Sequence, residues 1–124
     1  AIRNPQSAIL LRNLPRPAFL GLLRHAAVLV GNSSAGIIEA ASFGTPVLDV
    51  GPRQAGRQRG QNVTSVPFRQ STIRQALKAI WNDGHPRRFP RKNPYGRGDT
   101  ARRIAQVLAR VKLSPQLRRK LITY

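Results

Sequence analysis

The sequence has 124 residues, 40% of them hydrophobic, which suits one modest folded core and is too apolar for a disordered chain. It contains no cysteine, which excludes disulfides and thiolate metal sites, and no apolar run approaching the roughly 20 residues of a membrane span. Lysine and arginine number 22 against 4 acidic residues, a formal charge of +18, so the chain's field attracts polyanions whatever its fold.

The opening AIRNPQ lacks the apolar core of a signal peptide, and there is no Met here or elsewhere. The sequence is therefore expected to be a piece of something longer. After a turn at 5–7, Ala8–Leu11 reads as a first strand. Pro15 and Pro17 break it and lead into a short apolar helix, AFLGLLRHA. Ala27–Val30 is a second strand ending at Gly31. Asn32, Ser33 and Ser34 then offer the side-chain oxygens that cap helix N-termini. A helix is expected over Ala35–Phe43, stopped by Gly44 and Pro46. VLDV, Val47–Val50, is the next strand, completing a right-handed βαβ unit.

Gly51–Gln61 is rich in glycine and arginine and is expected to be a mobile loop. Asn62–Val66 has the β-branched content of a fourth strand, ended by Pro67. From Ser71 the period changes. Ile73, Ala76, Leu77, Ile80 and Trp81 fall on one helical face, which Asp83-Gly84 ends. His85–Gly98 is a loop dense in proline, glycine and arginine. Asp99 or Thr100 caps a helix whose buried stripe is Ile104, Val107, Leu108 and Val111. Ser114-Pro115 opens a last basic helix, Gln116–Ile122. Strands alternating with helices predict an α/β fold, a parallel sheet with flanking helices. Four strands are few, and a parallel sheet wants both faces covered, so either a longer protein or a second copy is expected to cover it.

The Asn32–Ser34 turn carries the chemistry. Free N–H groups and two hydroxyls at the carboxyl edge of the sheet suit a diphosphate. Glu39, the single Glu, is placed to accept both hydroxyls of a ribose. Arg53, just after the VLDV strand, is placed to close on phosphate. Each has a plainer role available. Ser33 and Ser34 are ordinary caps, and Glu39 an ion pair with Arg24 or Arg53. Arg53 is one of 18 arginines. Arg57 and Arg59 are expected to be solvated, steering charges. His25 and His85 have no evident catalytic partner, and neither has Asp49. Trp81 belongs to core or interface, and Tyr95 anchors its loop by packing.

GNSSAGIIEAASFGTPVLDVGPRQAGRQRG, then NV, then NPYGRGD, resembles the UDP-N-acetylglucosamine 2-epimerases over roughly Leu10 to Leu108. Asn32-Ser33-Ser34-Ala35 stands where the non-hydrolysing branch has Asp-Ser-Gly-Gly, so the resemblance is closer to the hydrolysing branch, which releases UDP and an N-acetylmannosamine-type sugar. The resemblance implies a Rossmann-like fold and a GT-B architecture, two such domains with the active site in the cleft between them. Residues 1–124 would be one partial domain, the later part of the carboxy-terminal one. It implies diphosphate contacts from Ser33 and Ser34, ribose contacts from Glu39, and a phosphate-region contact from Arg53. Phe19 falls beside the nucleotide, and a backbone group of Leu14 at the uracil edge. Partners implied are UDP or a UDP-N-acetylhexosamine and an amino-terminal domain outside this chain, in a cytoplasmic enzyme.

Two departures stand out. Arg97 occupies a position that is usually acidic in the family. The family's acid/base carboxylates and active-site His lie upstream, so no catalytic residue is assigned here. Epimerisation needs a base to take the C2 proton and an acid to return it, and the chain alone is expected to be inactive. No metal ligands and no cofactor are implied. The alternatives are the nucleotide-binding domain of a GT-B glycosyltransferase, which the GPRQAGRQRG loop disfavours, and a basic nucleic-acid-binding module. Arginine spread along the chain and only 6% aromatic residues disfavour the module.

Overall fold

The computed structural model describes residues 8–81, 84 and 86–118. The expected turn at 5–7, Asp83, His85 and the helix beyond 118 lie outside the described residues. Helix α1, Arg16–His25, starts two residues before the predicted AFLGLLRHA because Pro17 is tolerated in a first turn, where its missing N–H has no intrahelical partner. Strand β1 is Leu29–Gly31.

The helix expected over Ala35–Phe43 is two pieces. Helix α2 covers Ser34–Ile38, and a 3₁₀ turn covers Ala40–Phe43. The winding tightens because the chain must reverse at Gly44, whose φ of 66° is left-handed. Gly36 faces the sheet so closely that a Cβ there would lie 2.8 Å from Val47 Cγ1. Strand β2 is Val47–Val50, β3 is Val63–Val66, and helix α3 is Gln70–Ile80. Helix α4 is Thr100–Arg110, with Asp99 in the cap position but making no side-chain cap bond, and α5 is Pro115–Arg118.

The sheet is parallel, in the order β1-β2-β3, with Leu29 beside Val47 and Val47 beside Val63. The fold is thus α/β with a three-stranded parallel sheet, one strand fewer than expected. Ala8–Leu11 forms no strand: it has no ladder partner among the described residues, and Leu10 is 93% exposed. Strand composition without a neighbour to bond is not enough.

Side chains alternate across the sheet. One face packs Val47 with Leu23 and Ala40, with Phe19, Leu20, Leu29, Phe43 and Val63 around them. The other packs Leu48, Val50 and Val66 under Ile73, Ala76, Leu77 and Ile80 of α3. Full burial of Leu48 and Ile37 contributes about 1.5–3 kcal/mol each. The cover from α3 lies over β2 and β3, and Val30 of β1 is exposed beside buried Leu48.

The stripe on α4 corrects an expectation. Ile104, Val107 and Leu108 are on one face as predicted, but exposed rather than buried. Helical period sets which side chains share a face; it does not supply the surface that covers them.

The amino-terminal end of the sheet is tied by hydrogen bonds. Thr45 Oγ1 donates to Leu23 O at 2.8 Å, and Asn62 Nδ2 donates to Thr45 O at 2.8 Å. Arg88 donates to Thr45 Oγ1 and to Ala26 O, each at 2.8 Å, and Phe89 N donates to Gly44 O at 3.0 Å.

Candidate functional site

At the carboxyl end of β1 the chain turns through Asn32 into α2. Ser33 caps that helix, its hydroxyl accepting from Ala35 N at 3.3 Å. Ser34 is the first helical residue and is exposed. The cap and a ligand contact are compatible, since the hydroxyl hydrogen of Ser33 is not used in the cap.

Glu39 sits at the end of α2, one turn below the serines. Its carboxylate pairs with Arg16, Nη2 to Oε1 at 2.9 Å, and not with Arg24 or Arg53. α1 and α2 both run down from the sheet's carboxyl end, which brings the start of one beside the other. The pair borders a cleft of about 290 Å³, lined also by Leu20, Ile38, Asn93 and Tyr95. That volume is at the lower end for a ligand pocket. A larger groove of about 750 Å³ runs along α3, between Gln70 and Trp81. It is open and is lined by side chains of one helix and its end; neither lining includes Ser33, Ser34 or Arg53, and the smaller cleft is the better candidate because it holds the Glu39 carboxylate.

The NPYG loop closes one side of the cleft. Asn93 Nδ2 donates to Ile38 O at 2.8 Å and to Ser42 Oγ at 2.7 Å, while its Oδ1 accepts from Tyr95 N at 2.9 Å. Tyr95 anchors this loop through its hydroxyl, which donates to Gln58 O at 2.9 Å, rather than by packing alone. Tyr95 thereby joins the cleft wall to the arginine-rich loop.

That loop, 51–61, is not loose. It holds a 3₁₀ turn, Pro52–Gln54. Gln54 is buried and its Nε2 donates to Asn32 O at 2.7 Å. Arg59 is not a solvated charge. Its Nη2 donates to Gln54 O at 2.8 Å, its Nη1 donates to the Ser65 hydroxyl, and the same Nη1 lies 3.6 Å from Asp49 Oδ2. Asp49 therefore has a partner, and a second one in Ser65, whose hydroxyl donates to it at 3.3 Å. A buried carboxylate without such partners would be costly. A glycine- and arginine-rich composition does not reveal these contacts, because it does not say which arginine finds a buried acid.

Arg53 is exposed in the 3₁₀ turn, on the loop that Gln54 fastens to the Asn32–Ser34 turn. Phe19 packs against the core of the α1 face, and its neighbour Leu20 reaches the cleft. Leu14 is half-buried just before α1. Sequence reasoning missed Arg16, Gln54 and Asn93. Only Asn93 carried a local signal, the Asn-Pro turn. Among the described residues no three His, Cys, Asp or Glu side chains gather as metal ligands, and no helix is long and apolar enough to cross a membrane.

Comparison with known proteins identifies the family. The profile of the UDP-N-acetylglucosamine 2-epimerase family matches residues 1–109. The chain is 37% identical, over 93% of its length, to the hydrolysing UDP-N,N'-diacetylbacillosamine 2-epimerase of Legionella pneumophila. It is 38% identical, over 73% of its length, to the UDP-N-acetylglucosamine 2-epimerase of Neisseria meningitidis serogroup B. A third relative, 43% identical over 49% of the chain, is the hydrolysing GDP/UDP-N,N'-diacetylbacillosamine 2-epimerase of Campylobacter jejuni. The chain spans 30% of the length of the first relative and 24% of the second. With a family profile covering most of its residues, the chain belongs to the UDP-N-acetylglucosamine 2-epimerase family.

Proposed function

We propose that the chain is the carboxy-terminal, UDP-binding part of a hydrolysing-type 2-epimerase, a cytoplasmic enzyme of GT-B architecture that releases UDP and an N-acetylmannosamine-type sugar. The observation that carries this reading is the Glu39 carboxylate in a cleft one turn below the Ser33–Ser34 turn. A carboxylate accepts both hydroxyls of a vicinal diol, and backbone N–H groups with serine hydroxyls suit a diphosphate. Ser33 and Ser34 take the diphosphate, Glu39 the ribose and Arg53 a phosphate oxygen. Phe19 and Leu14 form the uracil end.

In this reading Arg16 neutralises Glu39 until the diol arrives, then swings into solvent, which its 74% exposed side chain permits. The proton-transfer groups come from the remainder of the protein, since the relatives are more than three times as long as the matched region. The chain alone binds nucleotide and turns over nothing. Its partners are UDP or a UDP-N-acetylhexosamine and the amino-terminal domain.

A calorimetric UDP titration tests this. The wild-type chain is expected to bind UDP, Glu39→Ala to abolish the heat, and a short single-stranded oligonucleotide to bind only through salt-sensitive charge. Oligonucleotide binding without UDP binding overturns the reading in favour of a basic module.

A further inference from the structure

We propose that Asp49 and Arg59 are positioning residues that lock the arginine-rich loop onto the Asn32–Ser34 turn and so hold Arg53 over the nucleotide. This rests on the UDP reading above. Asp49 is 1% exposed, on β2, directly beside Ser65 of β3 in the register. A buried acid in a chain with 18 more positive than negative charges has many possible partners, yet only a residue that folds back over the sheet end reaches it. Arg59 does so, and in doing so closes the stretch 50–58 between two anchored points.

The contacts form one path. Arg59 pairs with Asp49 and donates to the carbonyl of Gln54. Gln54, 2% exposed, donates its side-chain amide to the carbonyl of Asn32. Asn32 is followed directly by the two serines assigned to the diphosphate, and Gln54 is preceded directly by Arg53. The path therefore ties the cation to the hydroxyls without either Asp49 or Arg59 touching ligand. It also keeps a flexible arginine loop from paying its ordering entropy when nucleotide binds. The cations at the other end of the sheet are not of this kind. Arg24 and His25 end α1, and Arg88 bonds the carbonyl that follows it, which is ordinary compensation of a helix C-terminus.

Limited trypsin digestion and UDP titration together test this on the whole chain. Asp49→Asn keeps shape and removes charge. Arg59→Gln is the second variant, on a partly exposed side chain, should the first unfold. In either folded variant, digested well below its own thermal midpoint, cleavage after Arg53 and Arg57 is expected to rise by about 10-fold or more; Arg59→Gln also lowers that midpoint, because it leaves the buried Asp49 carboxylate without its cation. UDP affinity is expected to fall by about 10-fold, and this fall is expected to vanish when Arg53→Ala is already present, because a residue acting through Arg53 has nothing left to position. Unchanged cleavage overturns the lock. Faster cleavage with unchanged UDP affinity, or effects of Asp49→Asn and Arg53→Ala that simply add, overturns the positioning role. A wild-type chain that binds no UDP defeats the nucleotide reading instead, and is told apart because digestion reads the lock without ligand.

Discussion

The two ends of the parallel sheet use similar polar side chains to opposite purpose. At the amino-terminal end, Thr45 both donates and accepts, Asn62 holds its carbonyl, and Arg88 spans Thr45 and Ala26. Each bond joins two pieces of backbone or core and points at nothing outside. At the carboxyl end, Ser34 and Arg53 are exposed, Glu39 is held by a mostly solvated arginine, and the buried acceptors Asp49 Oδ1 and Gln54 Oε1 have no hydrogen-bond partner among the described residues. Strands in a parallel sheet all deliver loops to the same end, so one end can be spent on closure while the other carries chemistry. The contrast teaches that a charge of +18 need not mean one diffuse surface: individual arginines close the fold, fasten a loop or face solvent according to which end they reach.

Substitutions at the two ends should separate stability from affinity. The largest expected effect is Gly44→Ala. The left-handed backbone and the Phe89 carbonyl both oppose a Cβ there, so unfolding free energy in urea should drop by about 2–4 kcal/mol with UDP affinity of the folded fraction unchanged. Next is Asn62→Ala, which leaves the buried Thr45 carbonyl without its side-chain donor and should cost about 1–3 kcal/mol in the same measurement. Glu39→Ala should show the reverse: UDP binding lost in calorimetry, stability changed by about 0–1 kcal/mol because Arg16 is largely solvated. Ile104→Ser on the exposed face of α4 should be smallest, within about 0.5 kcal/mol. A Gly44 variant that stays stable but stops binding UDP would erase the division between the ends.

The βαβ unit was legible because everything it needs is local: an apolar run, a cap, a glycine stop and a second apolar run within 27–50. Its strands fall within a residue or two of expectation. The Ser33 cap was legible for the same reason. Asp49 with Arg59 was not legible, since pairing across a loop depends on where the loop returns, and 18 arginines compete for the choice. Arg16 reached Glu39 only because two helices descend side by side, which no window of sequence contains. Ala8–Leu11 and the α4 stripe failed for a shared reason. Each pattern states what a segment needs in order to be buried, and the described residues do not supply it.

The strand register also carries an expectation for how the chain folds. Leu29 pairs with Val47 and Val47 with Val63, so each crossover closes a loop of fewer than about twenty residues, short for a parallel sheet. Once Val66 has joined and α3 has settled on β2 and β3, both core clusters exist. Both clusters lie within the stretch from α1 to α3, so the sheet is expected to assemble before Arg88 and Phe89 dock. Those two residues then act as a late fastening, expected to slow unfolding more than they speed folding.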